Sequence, residues 1–413
     1  MKQTLAQKLV ARAAGRSSVT PGEIVTCKVD LAMVHDSSGP RRLKPMLDRL
    51  KAKVWDPSKL VVITDHYLPA YDEESRNIIR IAREWVKEAG VDNFYDAQGI
   101  CHIVLPERGH LRPGMFVVGG DSHSPTGGAF AAYMFGVGAT EMLGVVVTGE
   151  IWLKAPHTIA IEMDGALPPA VSAKDVMLHL IGRLGMDGGR YQAVEYRGPA
   201  VRKLPMQERM TLCNMTAELG GQTGLVASDS VTEEFLRFPI EKWDSDSDAP
   251  VLETHRLNAS ELAPQVAAPH SPANSVAVTE LDTVKVDLAY IGACTGAKLE
   301  DLRMAARIFK DKRSAVKLLV APASLRDQQV AEKEGTLKIL LDAGAELLAN
   351  SCGMCAGYGE HLLAENTVAI SSTARNFKGR MGATTAQVYL ASPYTVAASA
   401  IAGRIADPRE LLA

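Results

Sequence analysis

The sequence has little net charge and no long apolar segment. A formal net charge of -3 over 413 residues gives no broad attraction to nucleic acid or to an anionic membrane. Its apolar runs, such as residues 142–148, fall well short of the ~20 residues that a membrane-spanning helix needs. Residues 1–16 have the spacing of an amphipathic helix and lack the apolar core of a signal peptide. These absences predict a soluble, cytoplasmic protein.

Cysteines and nucleotide-binding motifs are also scarce. Six cysteines are too few for a disulfide scaffold. The glycines at 127–128 and 136–138 belong to neither G-x-x-x-x-G-K-[ST] nor G-x-G-x-x-G, so a nucleotide site is rejected. The chain has one C-x-x-C and no second one, which argues against a closed four-cysteine zinc site.

The chain is too long for one ordinary hydrophobic core. Apolar β-type runs alternate with helical patterns, which is typical of repeated βα units and a parallel sheet. We expect three α/β units, at residues 1–156, 157–284 and 285–413. Predicted strands are 60–64, 100–105, 115–119, 157–163, 286–291, 316–321, 345–349 and 367–371, and predicted helices are 73–89, 171–184, 299–309 and 326–342. The Asp-, Ser-, Ala- and Pro-rich segment 245–275 is expected to be an exposed connection.

Three cysteines follow predicted strands of the third unit, Cys294 after one and Cys352 and Cys355 after another. The carboxyl ends of parallel strands line the crevice where ligands bind, so these thiols can converge there. Three thiolates suit a cubane iron–sulfur cluster in which one iron has no protein ligand. Zinc binding and redox activity remain alternatives on spacing alone. The other three cysteines, Cys27, Cys101 and Cys213, are expected to be core residues.

Acidic and imidazole side chains also cluster near predicted strand ends, as His35-Asp36, Asp65-His66, His102 and Asp121-Ser122-His123. A carboxylate beside an imidazole can orient and charge-stabilise it for acid–base catalysis. Two arginines, Arg375 and Arg380, follow the strand predicted after the C-x-x-C segment. Guanidinium groups suit carboxylates, the alternative being a solvated basic loop.

Several sequence motifs occur together in one order: GGDSHSP at 119–125 with GVG at 136–138, TLCNMTAE at 211–218, YIGACTG at 290–296, SCGMC at 351–355 and RNFKGR at 375–380. With these motifs the chain resembles the aconitase superfamily over nearly its whole length, most closely the large subunits of the 3-isopropylmalate dehydratase and homoaconitase type. The resemblance implies a hydro-lyase with three α/β/α domains and mostly parallel sheets, without the C-terminal swivelling domain.

The resemblance also implies a [4Fe-4S] cluster held by Cys294, Cys352 and Cys355, whose fourth iron binds the substrate. His66 with Asp65 would protonate the departing hydroxyl. The residues that would position substrate, water and cluster are His102, Asp121, His123, Asn214 and Glu218, and the carboxylate-binding positions would be His35, Ser122, Arg375 and Arg380.

Single-chain aconitases take a serine base from the swivelling domain, so the resemblance implies a separate small subunit that completes the active site. Gly296 and Ala374 stand where family members commonly have Asn, and Ser124 stands where Thr is usual. The resemblance implies a small 2-hydroxy di- or tricarboxylic acid as the substrate, most closely 3-isopropylmalate. The departures leave an acid of the dimethylmalate, homocitrate or aconitate type as the alternative. A non-catalytic iron-sensing or RNA-binding relative is the competing hypothesis.

Overall fold

A computed structural model describes residues 2–412 of the chain. Its first region contains seven strands: β1 (Ile24–Lys28), β2 (Leu31–His35), β3 (Leu60–Thr64), β4 (Phe94–Asp96), β5 (Phe116–Gly119), β6 (Tyr133–Gly136) and β7 (Glu150–Lys154). A parallel sheet has the order β4-β3-β2-β5-β6, and β1 pairs with β7 in an antiparallel ribbon. Every side chain of β2 and β3 is buried, as expected for parallel strands covered on both faces.

Five helices belong to this region: α1 (Leu5–Ala13), α2 (Pro40–Leu50), α3 (Glu73–Glu88), α4 (Cys101–Glu107) and α5 (Ala139–Thr148). Helix α3 begins where the Asp72 side chain accepts from the Ser75 N–H, a favourable N-cap. It confirms the helix predicted at 73–89.

The strand predicted at 100–105 is wrong, because these residues form most of α4. A short apolar run has the same pattern whether it is a buried strand or a buried helix. Here residues 101–106 are all buried, and the Asp65 carboxylate accepts a hydrogen bond from the Cys101 N–H at the helix start.

The second region is a parallel sheet of order β10-β9-β8-β11. Its elements are β8 (Thr158–Asp164), α6 (Ala173–Leu184), β9 (Ala193–Arg197), α7 (Pro199–Lys203), α8 (Met206–Asn214), β10 (Thr223–Leu225), α9 (Ser230–Leu236) and β11 (Glu253–Asn258). The predicted strand 157–163 and helix 171–184 correspond to β8 and α6.

The third region is a seven-stranded sheet of order β13-β12-β18-β17-β14-β15-β16, in which only the pairings of β12 are antiparallel. Its strands are β12 (Gln265–Ala267), β13 (Ser275–Ala277), β14 (Leu288–Ile291), β15 (Lys317–Val320), β16 (Ala345–Leu347), β17 (Val368–Ser371) and β18 (Gln387–Ala391). Its helices are α10 (Leu299–Phe309), α11 (Leu325–Lys333), α12 (Thr336–Asp342) and α13 (Pro393–Ala402). The helix predicted at 326–342 is two helices, because Gly335 takes a φ of 85° between them.

The segment 245–275 is not simply an exposed connection, which corrects the expectation from composition. Strand β11 pairs with β8 in parallel register, and β12 is buried against β18. Pairing with a distant strand outweighs the polar, Pro-rich composition. Because β12 and β13 lie before residue 285 yet belong to the third sheet, the boundary drawn there stays a prediction.

One hydrophobic core contains side chains from all three regions. One cluster of buried apolar side chains includes Ile63 of the first sheet, Ile161 of the second and Ile291 of the third. The expected mixed α/β fold with mostly parallel sheets is confirmed. Among the described residues, no helix combines the length and apolarity needed to cross a membrane.

Candidate active site

The polar clusters of the first region follow three neighbouring strands of one sheet. His35 ends β2, Asp65 and His66 come directly after β3, and residues 120–123 follow β5. These strands lie side by side and run parallel, so their carboxyl ends deliver the side chains to one edge.

Asp121 is the centre of this edge. One of its oxygens lies 2.7 Å from His102 Nε2 and accepts from the His123 N–H at 2.8 Å. The other lies 3.6 Å from His35 Nε2 and 3.8 Å from His66 Nε2. Burial opposes ionisation of Asp121, but the charge and hydrogen bond of His102 outweigh it and hold the pKa well below its usual range. Asp121 is therefore a fixed anion that faces several imidazoles.

His66 and Asp65 form an acid–carboxylate pair. His66 Nδ1 lies 2.6 Å from Asp65 Oδ1, and Asp65 Oδ2 accepts from the Cys101 N–H at 2.7 Å. Burial disfavours the charged imidazole, but Asp65, with Asp121, outweighs it and raises the pKa of His66 to about 10. His66 is therefore a protonated imidazole at neutral pH, with Nε2 directed toward Asp121.

Asp36 holds the turn that presents this pair, although the predicted site did not include it. It is fully buried and accepts from the N–H groups of Asp65 (3.1 Å), His66 (3.0 Å) and Tyr67 (2.7 Å). The His35 ring stacks on the His66 ring, with centroids 3.9 Å apart. The His35-Asp36 pair in the sequence carried the signal for Asp36, but its role depends on a turn 30 residues away.

Glu218 joins the first region to the third. Its Oε1 lies 2.9 Å from His123 Nε2 and 2.6 Å from Arg375 Nε. Arg375 also donates to Ser122 Oγ at 3.0 Å. Burial acts against ionisation of Glu218, but His123 and Arg375 lower its pKa to about 2. Glu218 thereby fixes the direction of a guanidinium at the edge of the site.

Cys294 lies in the turn after β14, where the Asn214 amide donates to its sulfur at 3.2 Å. Burial, followed by the charge of Cys355, raises the pKa of the Cys294 thiol to about 12. Asn214 also donates to Thr126, a contact that no motif in the sequence predicted.

Cys352 and Cys355 lie in the loop after β16. The Cys352 N–H donates to the Asp65 carbonyl at 2.8 Å, so this loop is tied to the acid pair. A hydrogen bond from the Cys352 thiol outweighs burial and, with the charge of Arg380, lowers the pKa of Cys355 below its ordinary value. Arg380 thus lies beside a thiol rather than in the Glu218 pair that holds Arg375. The remaining cysteines, Cys27, Cys101 and Cys213, are buried core residues as predicted.

Polar atoms left without a partner mark where a ligand fits. Five of the eight buried side-chain atoms that lack a hydrogen bond within residues 2–412 belong to predicted site residues: His35 Nε2, His102 Nδ1, Asn214 Oδ1, Glu218 Oε2 and Arg380 Nε. Buried polar groups are normally paired, so such a concentration indicates bound groups. Three thiols with an amide donor beside one sulfur fit an iron–sulfur cluster.

The glycine at 296 has a structural reason. A Cβ at this position would overlap the side chain and carbonyl of Ser372, while Ser372 Oγ donates to the Gly296 carbonyl at 3.1 Å. The turn after β14 and the end of β17 approach too closely for any side chain, so an asparagine does not fit there. Ala374 is buried, and nothing in the structure explains why it replaces Asn.

Comparison with known proteins decides the family. The Aconitase family (aconitate hydratase) matches residues 7–403. The chain belongs to this family. Aconitase-family enzymes are hydro-lyases and use an iron–sulfur cluster, and the three cysteines expected to hold it are present. The resemblance inferred from the motifs is confirmed.

Similar proteins extend over the full chain. The 3-isopropylmalate dehydratase large subunit 1 of Methanopyrus kandleri is 43% identical, with 100% of each chain covered. The probable methanogen homoaconitase large subunit of Methanothermobacter thermautotrophicus is 40% identical, over 99% of this chain and 98% of its own. A solved structure, holo-form aconitase X of Thermococcus kodakaraensis, has a TM-score of 0.49 at 12% identity and covers 85% of this chain and 84% of its own.

Proposed function

We propose that the chain is the large subunit of a two-subunit, [4Fe-4S]-dependent hydro-lyase of the 3-isopropylmalate dehydratase type. Its substrate would be a small 2-hydroxy di- or tricarboxylic acid. The observation that carries the proposal is the Asp121 network, which is tied through Asp65 to the loop of Cys352. Full-length similarity to the Methanopyrus kandleri protein, named a 3-isopropylmalate dehydratase large subunit, supports the substrate type.

In the proposed dehydration, His66 is the acid. Its Nδ1 is held by Asp65, so Nε2 is the nitrogen that gives its proton to the departing hydroxyl, which leaves as water. Asp65 stabilises the charged imidazole before transfer. In the reverse reaction His66 takes the proton back, as microscopic reversibility requires.

Arg375, with Ser122 beside it, would bind one substrate carboxylate. Glu218 holds Nε of this guanidinium, so the group is oriented before the substrate arrives, which reduces the ordering cost of binding. His35 and Arg380 have unpartnered buried nitrogens and would contact the substrate's other polar groups. Two separated cationic positions match an acid with two or more carboxylates.

Cys294, Cys352 and Cys355 would hold the [4Fe-4S] cluster. When bound, the cluster supplies a Lewis-acidic iron that lacks a protein ligand. The Asn214 amide donates to Cys294 Sγ, and donors of this kind orient and tune cluster ligands. His102, His123 and Asp121 would orient substrate and water near it.

The base that removes the substrate's carbon-bound proton would come from a separate small subunit. The relatives above are named large subunits, which supports a separate small subunit as partner. We propose the cytoplasm as the location of the enzyme. The test is to co-express the chain with a candidate small subunit and to follow the absorbance of the unsaturated product from 3-isopropylmalate, dimethylmalate, homocitrate and citrate. Turnover is expected only when both chains are present. Turnover by the large chain without the small subunit would refute the shared site. If the pair turns over none of the four acids, the proposed substrate class is wrong.

A homoaconitase-type substrate is the second candidate. It is favoured by the 44% identity to the probable methanogen homoaconitase large subunit of Methanosarcina mazei over 93% of this chain. Higher kcat/KM with homocitrate than with 3-isopropylmalate in the same panel would select it.

A further inference from the structure

Lys174 is a buried cation whose hydrogen bonds all go to neutral oxygens. Only 1% of its surface is exposed. Its ammonium donates to Ser372 O (2.8 Å), Thr373 O (2.6 Å) and Thr295 Oγ1 (3.1 Å), so all three protons are used on neutral oxygens. No carboxylate of residues 2–412 makes an ion pair with it. A buried charge is costly unless an opposite charge compensates it.

These three contacts join separate parts of the candidate site. Lys174 is in the first turn of α6. Thr295 is adjacent to Cys294, while Ser372 and Thr373 directly follow β17 and lead to Arg375. One ammonium therefore fixes the turn of a cluster cysteine against the segment that carries a substrate-binding arginine.

Lys298 provides a built-in comparison. It is equally buried and also touches the cysteine turn, with Nζ 3.2 Å from the Cys294 carbonyl and 2.9 Å from Thr211 Oγ1. Unlike Lys174, it has its own carboxylate, Asp301 Oδ2 at 2.6 Å. The Lys298–Asp301 pair is neutral overall, whereas Lys174 has no ion-pair partner of its own within residues 2–412.

We infer that Lys174 is a positioning residue of the cluster site whose positive charge compensates the thiolate charge of a bound iron–sulfur cluster and favours its reduction. The inference rests on the cluster of the proposed function. One-electron reduction adds a negative charge to the cluster, and a nearby buried cation stabilises that added charge. Burial, with the charge of Lys298, lowers the pKa of Lys174 to about 8, while the charges of Glu218, Asp301 and Cys294 act to raise it. The lysine therefore remains largely charged at neutral pH.

The test compares Lys174→Gln and Lys174→Met with the double variant Lys298→Met/Asp301→Asn. Lys174→Gln keeps hydrogen-bond donors but removes the charge, and the double variant removes a neutral pair from the same turn. Each full-length protein is reconstituted anaerobically with iron and sulfide, its folding is checked by circular dichroism, and its midpoint potential is measured by redox titration monitored by electron paramagnetic resonance.

Both Lys174 variants are expected to have lower midpoint potentials than the wild type. The equilibrium constant for reduction should fall by about tenfold, which for a one-electron couple is 59 mV, and the double variant should change it by less than about threefold. Folded Lys174 variants that take up no cluster, while the double variant does, would also support the positioning role. A wild-type potential in Lys174→Gln, or an equal shift in the double variant, would overturn the inference. A wild-type chain that takes up no iron and sulfide would instead refute the proposed cofactor.

Discussion

The five-stranded and seven-stranded sheets both bring side chains to the candidate site, but they hold charge in different ways. At the edge of the five-stranded sheet, which is the first edge, carboxylates and imidazoles pair directly, as Asp65 with His66 and Asp121 with His102. At the edge of the seven-stranded sheet, which is the second edge, thiols are held by their backbone turns and by buried donors such as Asn214. The first edge is therefore organised by pairs of the protein's own charged groups, whereas the second is the proposed site of the iron–sulfur cluster. Substitutions at the first edge are expected to lower kcat, whereas substitutions of the cysteines at the second edge are expected to lower uptake of the proposed cluster.

The largest effect is expected at the second edge. Cys352→Ala removes one of three proposed cluster ligands, and we expect activity of the assembled enzyme to fall below detection, with iron and sulfide content reduced after anaerobic reconstitution. Cys27→Ala is the matched control, since Cys27 is a buried core thiol in the first region, and it should keep both. Full cluster content in Cys352→Ala would contradict the assignment.

At the first edge, Asp121→Asn should leave the cluster in place and reduce kcat by roughly 10²- to 10⁴-fold, the range for loss of acid–base catalysis, because the proposed acid His66 faces Asp121. The amide cannot supply the negative charge that His102 and His35 face. Steady-state kinetics and iron content together measure this. Asp72→Asn, at the N-cap of α3, is the control and should leave kcat unchanged. Loss of cluster in Asp121→Asn would erase the proposed division between the edges.

Asp65→Asn should lower the pKa of His66 from about 10 toward its ordinary value near 6.5. Because the folded pKa of His66 is raised, the contribution of His66 to stability is complete below about pH 6.5 and is lost as pH rises toward 10. Burial opposes ionisation of Asp65, but His66 outweighs it and holds the pKa of Asp65 below its usual range, so the carboxylate's contribution is lost at low pH. The variant should therefore lose stability relative to wild type mainly between about pH 4 and neutral pH. NMR titration of the imidazole and urea unfolding at several pH values measure the two effects. His110, which contacts Tyr95 away from the site, is the internal reference and should not shift.

The smallest effect concerns packing between the two turns of the third region. Gly296→Ala should destabilise the fold by roughly 1–3 kcal/mol, the usual range for overpacking, because its Cβ overlaps Ser372. Gly144→Ala is the matched control. It lies in α5, and apart from its chain neighbours and the helix's own backbone no atom of residues 2–412 lies within 4 Å of the added Cβ, so Gly144→Ala should stabilise the fold by about 0.5–1 kcal/mol. Urea unfolding of both variants measures the difference in the free energy of unfolding. Equal changes in the two variants would show that the close contact between residue 296 and Ser372 does not destabilise Gly296→Ala.

Much of the candidate site was predictable because its residues follow strands. Asp65 and Asp121 follow apolar runs of the first region, and Cys294 and Cys352 follow apolar runs of the third. This pattern predicted one common edge in each region, since parallel strands end together. Asp36 and Thr126 were not predicted as site residues, because their partners are backbone or side-chain groups far away in sequence. The helix at Cys101–Glu107 was missed because a short apolar run does not distinguish a buried strand from a buried helix.

The sequence by itself determined the family, the α/β alternation and the chemical groups of the site, since periodicity and motif order are local properties. Only the tertiary structure decided which charges meet. It paired Glu218 with Arg375 across 157 residues and, within residues 2–412, left Lys174 without an ion-pair partner. Such pairings depend on how separate strands and turns pack together, and no short stretch of sequence records that.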